Sequence, residues 1–87
     1  MKHTTFKIID GDKETICDIL ITYHDDDTNK DYMVYTDRNF TKENKLNLYY
    51  SVYEELDNGI KLIDSKTDED KRIGLQLIKD VLNIINI

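Results

Sequence analysis

The sequence predicts an α+β domain, an antiparallel meander sheet of four or five strands with one C-terminal amphipathic helix packed on one face. Three observations predict it. Segments with the two-residue alternation of strands run as far as Ile63, the polar stretches between them are short, and from Thr67 to about Ile85 the apolar period becomes that of a helix. Short connections favour antiparallel neighbours, because a parallel pair needs a crossover of about a dozen residues or more and none is present. With no internal repeat, low-complexity tract or proline-rich linker, residues 1–87 read as a single domain.

Phe6-Lys7-Ile8-Ile9 and the run from Glu14 to Tyr23 read as two strands around an Asp10-Gly11-Asp12 turn, the strongest hairpin signal in the chain. Strict alternation in the second run would place Cys17, Ile19, Ile21 and Tyr23 on one face and Ile16, Asp18, Leu20 and Thr22 on the other. His24 to Asp31 is a polar tract that reads as a hairpin tip outside any core, after which Tyr32-Met33-Val34-Tyr35-Thr36 resumes the strand pattern. Asp37 to Lys45 is polar apart from Phe40. In Leu46 to Tyr53, Leu46, Leu48, Tyr50 and Val52 share one face and Tyr49 and Tyr53 the other. Asp57-Asn58-Gly59 turns the chain into a last short strand, Ile60-Lys61-Leu62-Ile63.

The helix has its start written into the sequence. Thr67 can accept hydrogen bonds from the free N–H groups of the first turn, and Asp68, Glu69 and Asp70 place negative charge at the positive end of the helix dipole. Ile73, Gly74, Leu75, Leu77, Ile78, Val81, Leu82, Ile84 and Ile85 fill an arc of roughly 200°, with Arg72, Gln76, Lys79, Asp80 and Asn83 opposite. An arc this wide has two explanations. Either the helix lies deep against a curved sheet, or the flank carrying Ile73, Leu77 and Ile84 also meets a partner or a second copy.

Charged residues make up 34% of the chain and apolar residues 39%, the balance of a folded domain and not of a disordered one. Twelve basic residues against eighteen acidic ones give a formal charge of −6, and the basic residues are scattered. Direct nucleic-acid binding and attachment to an anionic membrane both rely on clustered Lys and Arg, so both are disfavoured. The lone Cys17 permits no internal disulfide, and Met1 to Lys7 lacks the apolar core of a signal peptide, which together point to the cytoplasm.

No residues are spaced for catalysis, for a cofactor or for a metal. Asp25, Asp27, Asn29 and Asp31 alternate as in a calcium loop, but Lys30 stands where the sharp turn needs Gly and Thr36 where a bidentate Glu is required. His24 beside Asp25 lacks a nucleophile placed by any motif, and Cys17, an odd number of residues away on the same strand, is out of reach. His3 falls in the terminal segment. What remains are surfaces. Six tyrosines against two phenylalanines include Tyr49 and Tyr53 on one strand face, suited to docking, and Asp25, Asp26 and Asp27 form an acidic tip.

Ile19-Leu20-Ile21-Thr22-Tyr23, Lys30-Asp31-Tyr32-Met33-Val34-Tyr35, the Tyr-rich strand, Leu62-Ile63-Asp64 and the helix start Thr67-Asp68-Glu69-Asp70 together resemble the small bacterial proteins of domain of unknown function 1292, the YrzB-like family. The resemblance covers roughly residues 14 to 84. It implies a small cytosolic bacterial domain and brings no catalytic residues with it. The function expected from residues and resemblance is a non-enzymatic protein-interaction module with an unidentified protein partner or a homodimer. An acidic decoy occupying a basic site on another protein is the alternative, and a small metal-dependent enzyme comes third.

Overall fold

Six elements follow one another along the chain: β1 (Thr5–Asp10), β2 (Lys13–Asp25), β3 (Lys30–Thr36), β4 (Tyr49–Leu56), β5 (Gly59–Ile63) and α1 (Asp68–Ile85). The computed structural model describes residues 3–85. Each strand pairs antiparallel with the next, in the order β1-β2-β3-β4-β5, and the sheet curls until it is nearly closed, like a barrel. The helix crosses the outside of that sheet, against β3, β4 and the end of β2. No helix among the described residues is long and apolar enough to cross a membrane.

Turn chemistry sets the register of each hairpin. Asp10 faces Lys13, and Gly11 takes a φ of 62° at the first of the two central positions, as a type II′ turn demands. Asp25 faces Lys30 across a four-residue turn whose last residue, Asn29, adopts a left-handed φ of 54° that asparagine tolerates. Leu56 faces Gly59 across Asp57-Asn58. The strands at the middle hairpin are therefore longer than expected: β2 continues through His24 and Asp25, and only residues 26–29 leave the ladder. Leu46 lies outside β4, bridging to Phe40 within the β3–β4 connection.

A β-bulge at Leu20 overturns the strict alternation expected of β2. Ile19 pairs with Tyr35 and Ile21 with Val34, so two residues of β2 are taken up against one step of β3. Cys17 and Ile19 consequently face one side of the sheet, and Ile21 and Tyr23 the other. The strand thereby serves two cores. Inside the curl, Phe6, Cys17 and Met33 are buried, with Ile8, Ile19, Tyr35, Tyr53 and Ile60 packed around them. Phe6 meets Tyr35 edge-on at 5.1 Å, and Tyr35 stacks on Tyr49 at 5.5 Å. Outside, Tyr32, Val34 and Val52 join Ile73, Leu77 and Val81 of the helix, flanked by Ile21, Leu48, Tyr50, Ile63 and Ile78.

The cap on α1 is as expected, with the Asp70 N–H donating to Thr67 Oγ1 at 3.1 Å. The apolar arc is used unevenly. Ile73, Leu77, Val81 and Gly74, which span one half of it, are buried, whereas Leu75, Ile84 and Ile85 are exposed, Ile84 by 65%. Leu75, on the flank, points away from the sheet. Ile84 falls between Ile73 and Leu77 on the buried half of the arc and is nevertheless open, because it lies in the last turn, beyond the final buried helix residue, Val81.

Gly74 is the point of closest approach between helix and sheet. A Cβ there would lie 2.1 Å from Cδ1 of Tyr50, so the tyrosine ring occupies the space a side chain would need. We expect Gly74→Ala to destabilise the fold by about 1–3 kcal/mol through overpacking. Alanine is intrinsically the better helix former by about 1 kcal/mol, so a net loss in denaturant unfolding would isolate the clash with Tyr50. A neutral or stabilised variant would mean that the ring has room to move.

Candidate functional site

The largest group of buried polar side chains lies where the β2–β3 hairpin meets the start of α1. Asp70, fully buried, projects from the first helical turn toward the sheet. Its carboxylate accepts from the Tyr32 hydroxyl at 2.6 Å, from the Lys30 ammonium at 3.0 and 3.3 Å, and from the Ser65 hydroxyl. Lys30 also donates to Ser65 at 3.1 Å. A second carboxylate, Asp25, lies next to this group and accepts from the Thr28 N–H and hydroxyl, both at 2.9 Å, and from Tyr23 at 3.2 Å. Thr28 Oγ1 is 3.1 Å from the Tyr32 oxygen, which sets the two carboxylate groups side by side.

Electrostatics and geometry agree on what this cluster does. Burial by itself would raise the Asp70 pKa, but the hydroxyls of Ser65 and Tyr32 and the ammonium of Lys30 outweigh it and hold the carboxyl far below its ordinary range. Tyr32 is pushed up to about 12, by burial first and then by the neighbouring Asp70. Ser65 and Lys30 have the contact of a Ser–Lys dyad, but Ser65 donates its only proton to Asp70 and the same carboxylate holds the Lys30 ammonium. Lys30 thus donates to the serine and does not accept from it, the reverse of a general base. The arrangement is that of a clamp joining hairpin, linker and helix.

The residues expected from the sequence to form docking surfaces are distributed differently. Ile73 and Leu77 belong to the core and offer no surface, which leaves Ile84 and Ile85 in the last turn exposed, with Leu75 exposed on the side of the helix opposite Ile84. Asp25 is buried and turned into its own hairpin, so the acidic tip consists of Asp26 and Asp27 alone; the side chain of Asp26 is 99% exposed. Tyr53 packs half-buried on the inner core, and Tyr49 is exposed on the same face, its hydroxyl donating to Asp37 at 3.1 Å. Cys17 is fully buried, and burial raises its thiol pKa. The bulge brings His24 onto the same face as Cys17, contrary to the parity expected, but about 23 Å along the strand still separates them. Nδ1 of His24 is 2.8 Å from Asp31. His3 is held to Glu55 at 2.9 Å and is not a free terminal residue.

Among the described residues, two concave regions reach about 420 Å³ or more. A cleft of about 720 Å³ separates β4 and β5 from the first turns of α1, lined by Tyr50, Leu62, Ile63, Ser65, Lys66 and Lys71 among others. Its rim carries Asp64 and Asp68 beside the two lysines, and its serine is committed to Asp70, so it has no distinctive chemistry. The second is a slot of about 420 Å³ along the seam where the barrel fails to close. It is lined by His3, Thr5, Phe6 and Lys7, with Ile16 of β2 behind them, on one side and by Asn58, Gly59 and Ile60 on the other. β1 and β5 are the two ends of the sheet order, so among the described residues each presents an unpaired edge here.

Sequence reasoning missed the Asp70 clamp and the seam. The clamp had a signal: Asp70, Ile73, Leu77 and Val81 are spaced three, four and four apart, so Asp70 continues the buried stripe of the helix. Compared with known proteins, the chain matches no family model, no curated protein and no solved structure.

Asp70→Asn should cost about 3–5 kcal/mol in chemical unfolding, because it leaves the Lys30 ammonium without its partner. The folded-state pKa of Asp70 is depressed, so its contribution is complete above the unfolded carboxyl value of about 4 and is lost as the pH falls below it. The stability gap between the two proteins should narrow correspondingly in acid. His24 is shifted the other way, upward, by its bond to Asp31. A proton NMR titration should place it above 6.5, with Asp31→Asn lowering it. Its stabilising effect is complete below 6.5 and disappears as the pH rises through the folded-state value.

Proposed function

We propose that this chain is a non-enzymatic protein-interaction module and that its docking site is the open seam between β1 and β5. One observation carries this reading. Among the described residues, a sheet that curls almost to closure stops with two unpaired edges flanking a slot floored by Phe6 and Ile60. Exposed edges pair readily with another chain, and strand addition is a recurrent mode of peptide recognition. The slot also lies within the size range of ligand sites. The resemblance to the YrzB-like family, which brings no catalytic residues, is compatible with such a role.

The acidic-decoy reading keeps one supporting observation, the exposed Asp26 at the hairpin tip close to the acidic first turn of α1.

Affinity capture at low and high salt distinguishes the two when wild type is compared with Lys7→Pro. Proline at this edge position removes an N–H directed to the seam and is tolerated on an edge strand. A partner kept at high salt by wild type but lost by a folded Lys7→Pro variant supports the seam. A partner lost with salt and on neutralising Asp26 and Asp27 supports the decoy. A partner that Lys7→Pro retains places the interface elsewhere.

A further inference from the structure

Taking the seam as the docking site, we infer that its occupant is one extended segment of a partner protein, apolar on the side facing the barrel and acidic on the other, running antiparallel to both β1 and β5. Direction follows from strand count. In an antiparallel meander every second strand runs the same way, so with five strands β1 and β5 are parallel to each other. A strand laid between them is antiparallel to each and completes a six-stranded, fully antiparallel barrel without a free edge.

The available backbone groups follow from the ladder. The Ile19 N–H donates to the Thr4 carbonyl at 2.9 Å. Alternation along the antiparallel pair then ties Phe6 and Ile8 to β2 and directs the N–H and C=O groups of Thr5, Lys7 and Ile9 to the open edge.

Side chains decide the chemistry of the occupant. Phe6 and Ile60 point into the inner core, so the residues of the inserted strand beside them meet an apolar floor, with the His3–Glu55 pair also at the slot. On the outer face, alternation places a lysine on each flanking strand, Lys7 on β1 and Lys61 on β5, both exposed. Their acidic cross-strand neighbours lie one strand farther away: Glu14 is 3.9 Å from Lys7 but on β2, and Glu54 faces Lys61 from β4. The intervening residues of a partner strand therefore lie between two lysines, and like-charged residues there are disfavoured. Although the chain as a whole is acidic, its seam selects acid.

The probes are two labelled peptides about seven residues long, one alternating glutamate with valine and the other lysine with valine. Binding is read by fluorescence anisotropy and its location by amide hydrogen exchange of the intact chain. The acidic peptide should bind roughly tenfold more tightly than the basic one, slow exchange at the Lys7 and Ile9 amides, and lose its advantage in Lys7→Glu. Lys7→Ala, which keeps the N–H, should retain weakened binding, whereas Lys7→Pro should abolish it. Failure of the acidic peptide to bind, equal binding of the two, or protection elsewhere in the sheet would overturn the inference. Seam-dependent capture combined with equal peptide binding would remove the acidic class of partner and leave the docking seam in place. Protection of Lys7 and Ile9 by concentrated protein alone, with doubled mass in sedimentation, would make a second copy the occupant and overturn it as well.

Discussion

The carboxylate of Asp70 is withdrawn from solvent and still ionised, and the rest of the architecture is organised around meeting that condition. A lone buried charge would be costly, so Tyr32 and Lys30 from β3 and Ser65 from the β5–α1 linker converge on it. Removing any donor leaves polar groups exposed to an apolar environment, which makes the cluster a determinant of geometry more than a reserve of stability. It also sets the height of the helix along the sheet. With Asp70 placed against the first residues of β3, Ile73, Leu77 and Val81 fall in succession onto the outer core, and Gly74 falls under the ring of Tyr50.

With the helix so placed, the outer face of the sheet is covered only over its middle strands. The inner face is covered by curvature instead. The bulge at Leu20 is central to this, since it lets one long strand give Cys17 and Ile19 to the inner core and Ile21 to the outer one. Bulges also increase local twist and bend, the property a short sheet needs to wrap on itself. Five strands bring Phe6 and Ile60 into one cluster, and β1 and β5 remain the two ends of the ladder.

That combination gives the proposed docking seam its character. Its floor belongs to a core that is already formed, so an incoming segment would meet preorganised apolar contacts and free backbone donors together. The acidic tip, the exposed end of α1 and the half-exposed Tyr49 are separate features of the surface. None of them offers backbone pairing, the element that gives a strand-addition site its affinity.

Much of this was legible along the chain. Alternation, the Gly11 turn and the cap at Thr67 are local properties, dictated by dihedral preference and by nearest neighbours, and these residues take the elements they predict. Even the place of Asp70 on the apolar stripe was visible as a spacing, although the sequence by itself could not say that Lys30, Tyr32 and Ser65 would meet it, the nearest of them five residues away and the farthest forty. The bulge at Leu20 escaped for a different reason: alternation is a rule for regular strands, and an extra residue is stabilised by the packing of two cores that exist only after the chain has folded. What the sequence determined was the series of elements and the faces they could bury. Which faces were buried, where the polar groups found partners and how far the sheet closed were decided by tertiary structure, because each depends on contacts between residues distant along the chain.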